Sequence, residues 1–131
     1  MICPFNPGDT KMHAHTVTTE DFARFETGEV HQVYSTFALA RDAEWSGRLF
    51  VLEMKEIDEE GIGTGLTIEH LSPALENEEV LFSSMFMEVK GNEVITSYKA
   101  CVQERVIATG IQKQKIIKKD RLTKLFAALN S

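Results

Sequence analysis

The chain has 131 residues, 43% of them hydrophobic and 26% charged, with a formal net charge of −6. That length suits one domain with one core, residues 1–131, and the apolar fraction argues against disorder. The acidic balance speaks against bulk nucleic-acid binding, and no apolar run is long enough to span a bilayer. Cys3 and Cys101, the only cysteines, give no metal-ligand spacing and no disulfide framework. The opening MICPFNPGDTKMHAH lacks the basic and apolar regions of a signal peptide, so a reduced, cytoplasmic protein is expected. One local charge asymmetry stands out: Lys113, Lys115, Lys118, Lys119, Arg121 and Lys124 follow Gly110 with Asp120 as the only acid among them. Such a basic edge suits either solvation or an anionic ligand.

Residues 11–18 alternate loosely and predict a first strand. Thr19-Glu20-Asp21 resembles a helix start, with Phe22 and Phe25 as the apolar side of a short helix that ends at Thr27-Gly28-Glu29. The segment 34–57 carries the longest helical rhythm, capped by Ser35 or Thr36. Phe37, Ala40, Gly47, Val51 and Met54 recur on one stripe, and Glu44 falls on that stripe too. After a solvated turn at Glu59-Glu60-Gly61 comes a strand in which Leu66, Ile68 and His70 share one face. Residues 79–89 and 93–102 predict two strands joined by a hairpin at Lys90-Gly91-Asn92. Residues 106–117 predict another strand, and 119–129 an amphipathic helix with Leu122, Leu125, Phe126 and Leu129 on one side. One long helix and several antiparallel strands must cover each other, which describes an α+β domain with a curved antiparallel sheet packed on a central helix.

Glu44 and His70 are the candidates for chemistry. A carboxylate on a buried stripe costs several kcal/mol unless something compensates it. A lone buried Glu or a lone core His is usually structural, but the two on facing apolar surfaces answer each other's desolvation. Thr36 is the third candidate, although a threonine there also serves as an ordinary helix cap. Gly63 and Gly65 precede the His70 strand, where glycine lets a backbone N–H approach a ligand carbonyl. No P-loop, dinucleotide fingerprint, zinc spacing or nucleophile elbow is present.

At these residues the chain resembles the hotdog-fold acyl-CoA thioesterases, and among them the fluoroacetyl-CoA thioesterase-like family. The family's helix motif is a threonine, seven residues, then Glu-Trp, matched by Thr36 and Glu44-Trp45. Its strand motif is Gly-Thr followed by a histidine, matched by Gly63-Thr64 and His70. The match continues through Gly91 and Gly110 and covers roughly residues 5–118. The resemblance implies a curved antiparallel sheet wrapped around one long helix. It implies that Glu44 acts as nucleophile or general base, His70 as acid/base partner and Thr36 as a positioning group, with the Gly63 N–H lining the acyl pocket. No metal or organic cofactor is implied, coenzyme A entering as part of the substrate, and a homodimer or higher oligomer is expected. Neither nucleic acid nor membrane is an expected partner.

Two departures from the family pattern bear on specificity. An arginine of the last strand is replaced by Gln114, flanked by Lys113 and Lys115, the positions expected to meet the CoA phosphates. The phenylalanines that form a lid over fluoroacetate fall on Thr27 and Val30. Thioester hydrolysis therefore carries over better than fluoroacetyl selectivity. The rival readings are a non-catalytic acyl-CoA or small-ligand binding protein and a hotdog dehydratase, which would also use His with a carboxylate.

Overall fold

A 19-residue helix lies against one antiparallel sheet, and the polypeptide order follows from the need of each to cover the other. The computed structural model describes residues 1–130. Strand β1 (Thr10–Thr16) is followed by a 3-10 turn at Thr19–Asp21, a hairpin of β2 (Phe22–Phe25) and β3 (Gly28–Tyr34), and helix α1 (Thr36–Met54). Then come β4 (Glu59–Leu66), β5 (Glu69–His70), β6 (Glu79–Lys90), β7 (Glu93–Val102), β8 (Arg105–Lys118) and helix α2 (Lys119–Leu129). The main sheet runs β1-β6-β7-β8-β4, with β5 also on β8, and every pairing is antiparallel. This curled sheet around α1 is the hotdog architecture.

The α1 N-terminus is fixed by Ser35, whose Oγ accepts the Ala38 N–H at 3.0 Å and satisfies one of the orphan donors of the first turn. The helix face that meets the sheet comprises Ala38, Leu39, Asp42, Ala43, Ser46, Gly47, Phe50, Val51 and Met54. Leu39, Phe50 and Met54 are fully buried, and each contributes about 1.5–3 kcal/mol of transfer free energy. On the sheet side, Phe82, Tyr98, Ala100 and Ile107 meet the first half of the helix, while Phe86, Val94 and Ile116 meet the second half.

Three expectations are corrected. Residues 19–25 do not form a helix: a single 3-10 turn gives way to strand β2, because Gly28, at φ +113°, turns the chain back on itself and β3 pairs with β2. The α1 stripe is rotated from the expected one. Gly47, Val51 and Met54 are buried as read, but Phe37 is 87% exposed and Glu44 is also exposed, and the buried carboxylate is Asp42. Phe37 lies in the first turn of the helix, off the buried face that begins with Ala38 and Leu39. The strand expected after Glu59-Glu60-Gly61 begins at Glu59 itself and breaks between β4 and β5. Leu66 therefore ends up exposed while Ile68 packs on the core. The boundaries of β7 and α2 match the expected ones, but α2 buries none of its side chains.

Candidate active site

The candidate residues gather at two stations along the free edge of β4 and β5. At one, Thr36 in the first turn of α1 faces His70 on β5, with Oγ1 and Nδ1 2.9 Å apart. The other ring nitrogen, Nε2, is buried without a hydrogen-bond partner. Burial pushes the His70 pKa below its ordinary value; the backbone at Ser72 opposes this but makes no hydrogen bond of good geometry. Burial thus favours the neutral form of His70, whose ring contacts Thr36 through one nitrogen and has no partner on the other. An unsatisfied buried nitrogen in a native fold asks for an explanation, and a ligand or a reacting group is one.

At the second station the Glu44 carboxylate lies against Gly63. A Cβ built on Gly63 would overlap Glu44 Oε1 and lie 3.1 Å from Cδ. Glycine at this position is a matter of space, since any side chain would evict the carboxylate. Two turns of helix separate Glu44 from Thr36, about 12 Å of rise. Within one chain Glu44 meets Gly63, and Thr36 meets His70.

Gln114 is 1% exposed and faces α1 from β8. Its Nε2 donates to the Glu44 backbone carbonyl at 3.3 Å, and its Oε1 accepts from Arg48 Nη1 at 3.4 Å. Arg48, one turn beyond Glu44, also donates to the Gly61 carbonyl and to Glu60 Oε1, both at 2.8 Å. The guanidinium on this side of the site therefore comes from the helix, while β8 supplies an amide. The sequence reading missed Arg48. Its spacing of four from Glu44 was the available signal.

Lys113 and Lys115 alternate with the buried Gln112 and Gln114, so they project from the opposite face of β8, away from Glu44. Lys113 stands opposite Gly65, and a Cβ at Gly65 would sit 3.5 Å from Lys113 Cδ. Lys118 is paired with Asp58 at 2.9 Å.

A second polar cluster, also unread in the sequence, joins β1 to α1. Asp21 and Asp42 are 2% and 5% exposed. Arg41 donates to both, at 3.1 and 3.2 Å, and His15 Nε2 lies 2.7 Å from Asp21 Oδ2. Tyr34 donates its hydroxyl to Asp42 Oδ2, and burial followed by this bond drives the phenol pKa upward. Burial alone would raise the Asp21 pKa, but the Thr18 N–H, His15 and Arg41 outweigh it and hold it low. Burial likewise lowers the His13 pKa, with Asp42 opposing. His13, His15, Asp21, Arg41 and Asp42 line an open cleft of about 760 Å³ together with Glu44, Trp45 and Arg48. Trp45, the second residue of the Glu-Trp motif, is 42% exposed at this cleft.

A sheet curled round one helix defines a hotdog-fold protein, and the carboxylate and the Thr–His pair lie on its free edge. The family model for the fluoroacetyl-CoA-specific thioesterase FlK matches residues 17–120, and the chain belongs to that family of acyl-CoA thioesterases. Among solved structures, a Thermus thermophilus hypothetical protein described as a thioesterase superfamily member is 32% identical. It superposes with a TM-score of 0.93 over 97% of this chain and 94% of that one. A hot-dog-like protein from Thermanaerovibrio acidaminovorans is 22% identical, with a TM-score of 0.88 over 97% and 94%. The fluoroacetyl-CoA thioesterase FlK itself is 16% identical, with a TM-score of 0.87 over 95% and 96%, and variants of it have been solved with fluoroacetate and CoA and with acetyl-CoA. No curated protein matches the chain by sequence.

Proposed function

We propose that two copies of this chain hydrolyse an acyl-CoA thioester to the free acid and CoA, at sites shared across their β4 edges. The observation that carries this reading is the separation of Glu44–Gly63 from Thr36–His70 along one unpaired strand edge. Antiparallel pairing of two such edges, centred near Leu66 and Thr67, sets Gly63 of one copy beside the other copy's His70. Glu44 of one chain then faces the Thr36–His70 pair of its neighbour, which also covers an open sheet edge. The exposure of Glu44 in the single chain fits a carboxylate whose surroundings are completed by a partner.

In this arrangement Glu44 acts as the base that takes a proton from water as it attacks the thioester carbonyl, or attacks the carbonyl itself. In the tautomer this mechanism uses, Thr36 donates to His70 Nδ1 and the ring proton sits on Nε2, the nitrogen with no partner. From there the Nε2 N–H donates a hydrogen bond to the thioester sulfur and stabilises the departing thiolate, which takes its proton from the protonated Glu44 or from water. The Gly63 N–H lines the carbonyl pocket. Gln114 and Arg48 hold the helix turn that carries Glu44. The chemistry calls for no metal or organic cofactor. The CoA phosphates, which another enzyme of this family accommodates, meet Lys113 and Lys115 on the outer face of β8, one strand in from the shared edge. A reduced cytoplasm suits the two free cysteines.

The test is CoA release, read with a thiol reagent, from a series of acyl-CoAs, with Glu44→Gln alongside. Glu44→Gln should keep the fold and lose 10²–10⁴-fold in kcat, the usual range for loss of a general base. Retention of more than roughly a tenth of kcat removes Glu44 from the reaction. Gln114, in place of the family's arginine, favours a second reading as a non-catalytic acyl-CoA binder. Tight binding with no CoA release from any substrate would establish that reading.

A further inference from the structure

Thr36 lines a second cavity, distinct from the cleft beside Glu44, and its size and lining bear on the acyl group. The cavity measures about 600 Å³ and lies between the β2–β3 hairpin and the first turns of α1. Its walls include Phe22, Phe25, Val30, Phe37 and Ala38, with Thr36 among them. Phe25 is 71% exposed, Phe37 87% and Val30 49%, so three large apolar side chains stand in water around one hollow beside a candidate catalytic hydroxyl. Single exposed apolar residues are ordinary, but a convergent group around a concavity marks a binding surface.

We infer that this hollow is the acyl subsite, and that the substrate is an acyl-CoA with an apolar acyl group much larger than acetyl, of medium chain length or carrying an aryl ring. This rests on the thioesterase reading and extends it to the substrate class. At roughly 30 Å³ per water, the cavity has room for about twenty. A two-carbon acyl group fills only a small part of it and leaves the phenylalanines wet. A chain of six to ten carbons, or a phenylacetyl group, covers them. The charged groups of the lining, Glu20, Arg24 and Arg41, do not alter the choice. Arg41 is committed to the buried Asp21 and Asp42, and Arg24 to the Thr19 carbonyl and Glu29, so neither guanidinium is free to receive an acyl carboxylate. The hairpin is a separate two-stranded sheet with two register shifts, so it can adjust to different acyl shapes without disturbing the main sheet.

The experiment separates this inference from the activity on which it rests. Equilibrium binding of acetyl-CoA, hexanoyl-CoA and phenylacetyl-CoA is measured on the Glu44→Gln protein, and turnover of the same series on the unaltered protein. Each buried methylene is worth about a four-fold gain, so hexanoyl-CoA should bind on the order of 100-fold more tightly than acetyl-CoA. Phe25→Ala and Val30→Ala, both at exposed hairpin positions, should each reduce that ratio several-fold. Absence of turnover with every substrate defeats the thioesterase reading, yet the binding ratio still reports on the acyl subsite. Equal affinity for acetyl-CoA and hexanoyl-CoA, or a ratio unchanged in both hairpin variants, overturns the inference whether or not the protein hydrolyses anything.

Discussion

Gly63→Ala separates a functional contact from a structural one. Gly63 is exposed, and the three nearest atoms a new Cβ would meet all belong to the Glu44 carboxyl group. The overlap is relieved when Glu44 swings outward, a rotamer change available to an exposed side chain at about 0.5–1.5 kcal/mol or less. Thermal stability should therefore change little. The carboxylate, however, must retreat by about 1.4 Å to reach ordinary contact distance, and a displacement of that size at a reacting group can cost on the order of 100-fold in rate. The assay is kcat for CoA release beside a melting curve, with Gly65→Ala as the control. The atoms nearest a Cβ at Gly65 belong to the aliphatic stem of Lys113, at 3.5 Å or more, and not to Glu44. If Gly63→Ala retains most of its kcat, the Glu44 position beside Gly63 is not the working one. If it unfolds instead, the contact is structural and the argument fails on that side.

Mixing inactive Thr36→Ala and Glu44→Gln proteins under exchanging conditions should restore one intact site in each mixed dimer, up to about a quarter of normal activity per subunit for random mixing at equal amounts. Proven exchange with no recovery would place both residues in one chain's site. Reversing charge at Lys113 and Lys115 together should raise KM more than it lowers kcat, most strongly at low salt. An unchanged KM at low salt moves the CoA phosphates elsewhere. Burial lowers the pKa of both His13 and His70, so the fold prefers them neutral and the unfolded chain takes up protons first. Stability should then fall as pH drops below about 6.5, and His13→Gln should flatten that slope in the melting temperature between pH 6.5 and 5. Asp42→Asn should cost about 1–3 kcal/mol in denaturant titration, because it weakens the bonds from Tyr34 and Arg41 at a buried position.

Periodicity made most of the architecture legible. Strands β6, β7 and β8 announce themselves by alternation and by turn residues at Gly91 and Gln103, and α1 by its apolar steps. Thr36 and His70 are both legible as motif positions, but the pairing the sequence suggests is Glu44 with His70; within one chain it is Thr36 that approaches His70, at 2.9 Å, while Glu44 lies against Gly63. Glu44 was singled out on a premise that does not hold. At 100° per residue, Phe37, Ala40 and Glu44 lie on the flank of the stripe, and only the far end of the stripe, from Gly47 onward, enters the core. Asp42 escaped notice because a charged residue reads as solvated, and the partners that allow its burial, Tyr34 and His15, come from other elements. The β2–β3 hairpin was misread because two phenylalanines three apart fit one helical turn, and the turn at Gly28 looked like a terminus. Neither error could be corrected without knowing which segments meet in space.

The hairpin's independence from the main sheet has a consequence for how such a protein diversifies. Its two strands pair with each other, and their side chains contribute only Phe22 and Tyr34 to the buried core. Most hairpin positions can therefore vary without the stability penalty that burdens substitutions along α1 or β7, and their effects should combine nearly additively with changes elsewhere. Selection on acyl groups can act there while Glu44, Gly63 and the helix packing stay constrained. For laboratory evolution, a small library at Phe25, Val30 and His31 searches specificity in a region where few variants are lost to unfolding, so a larger share of each screen reports on recognition.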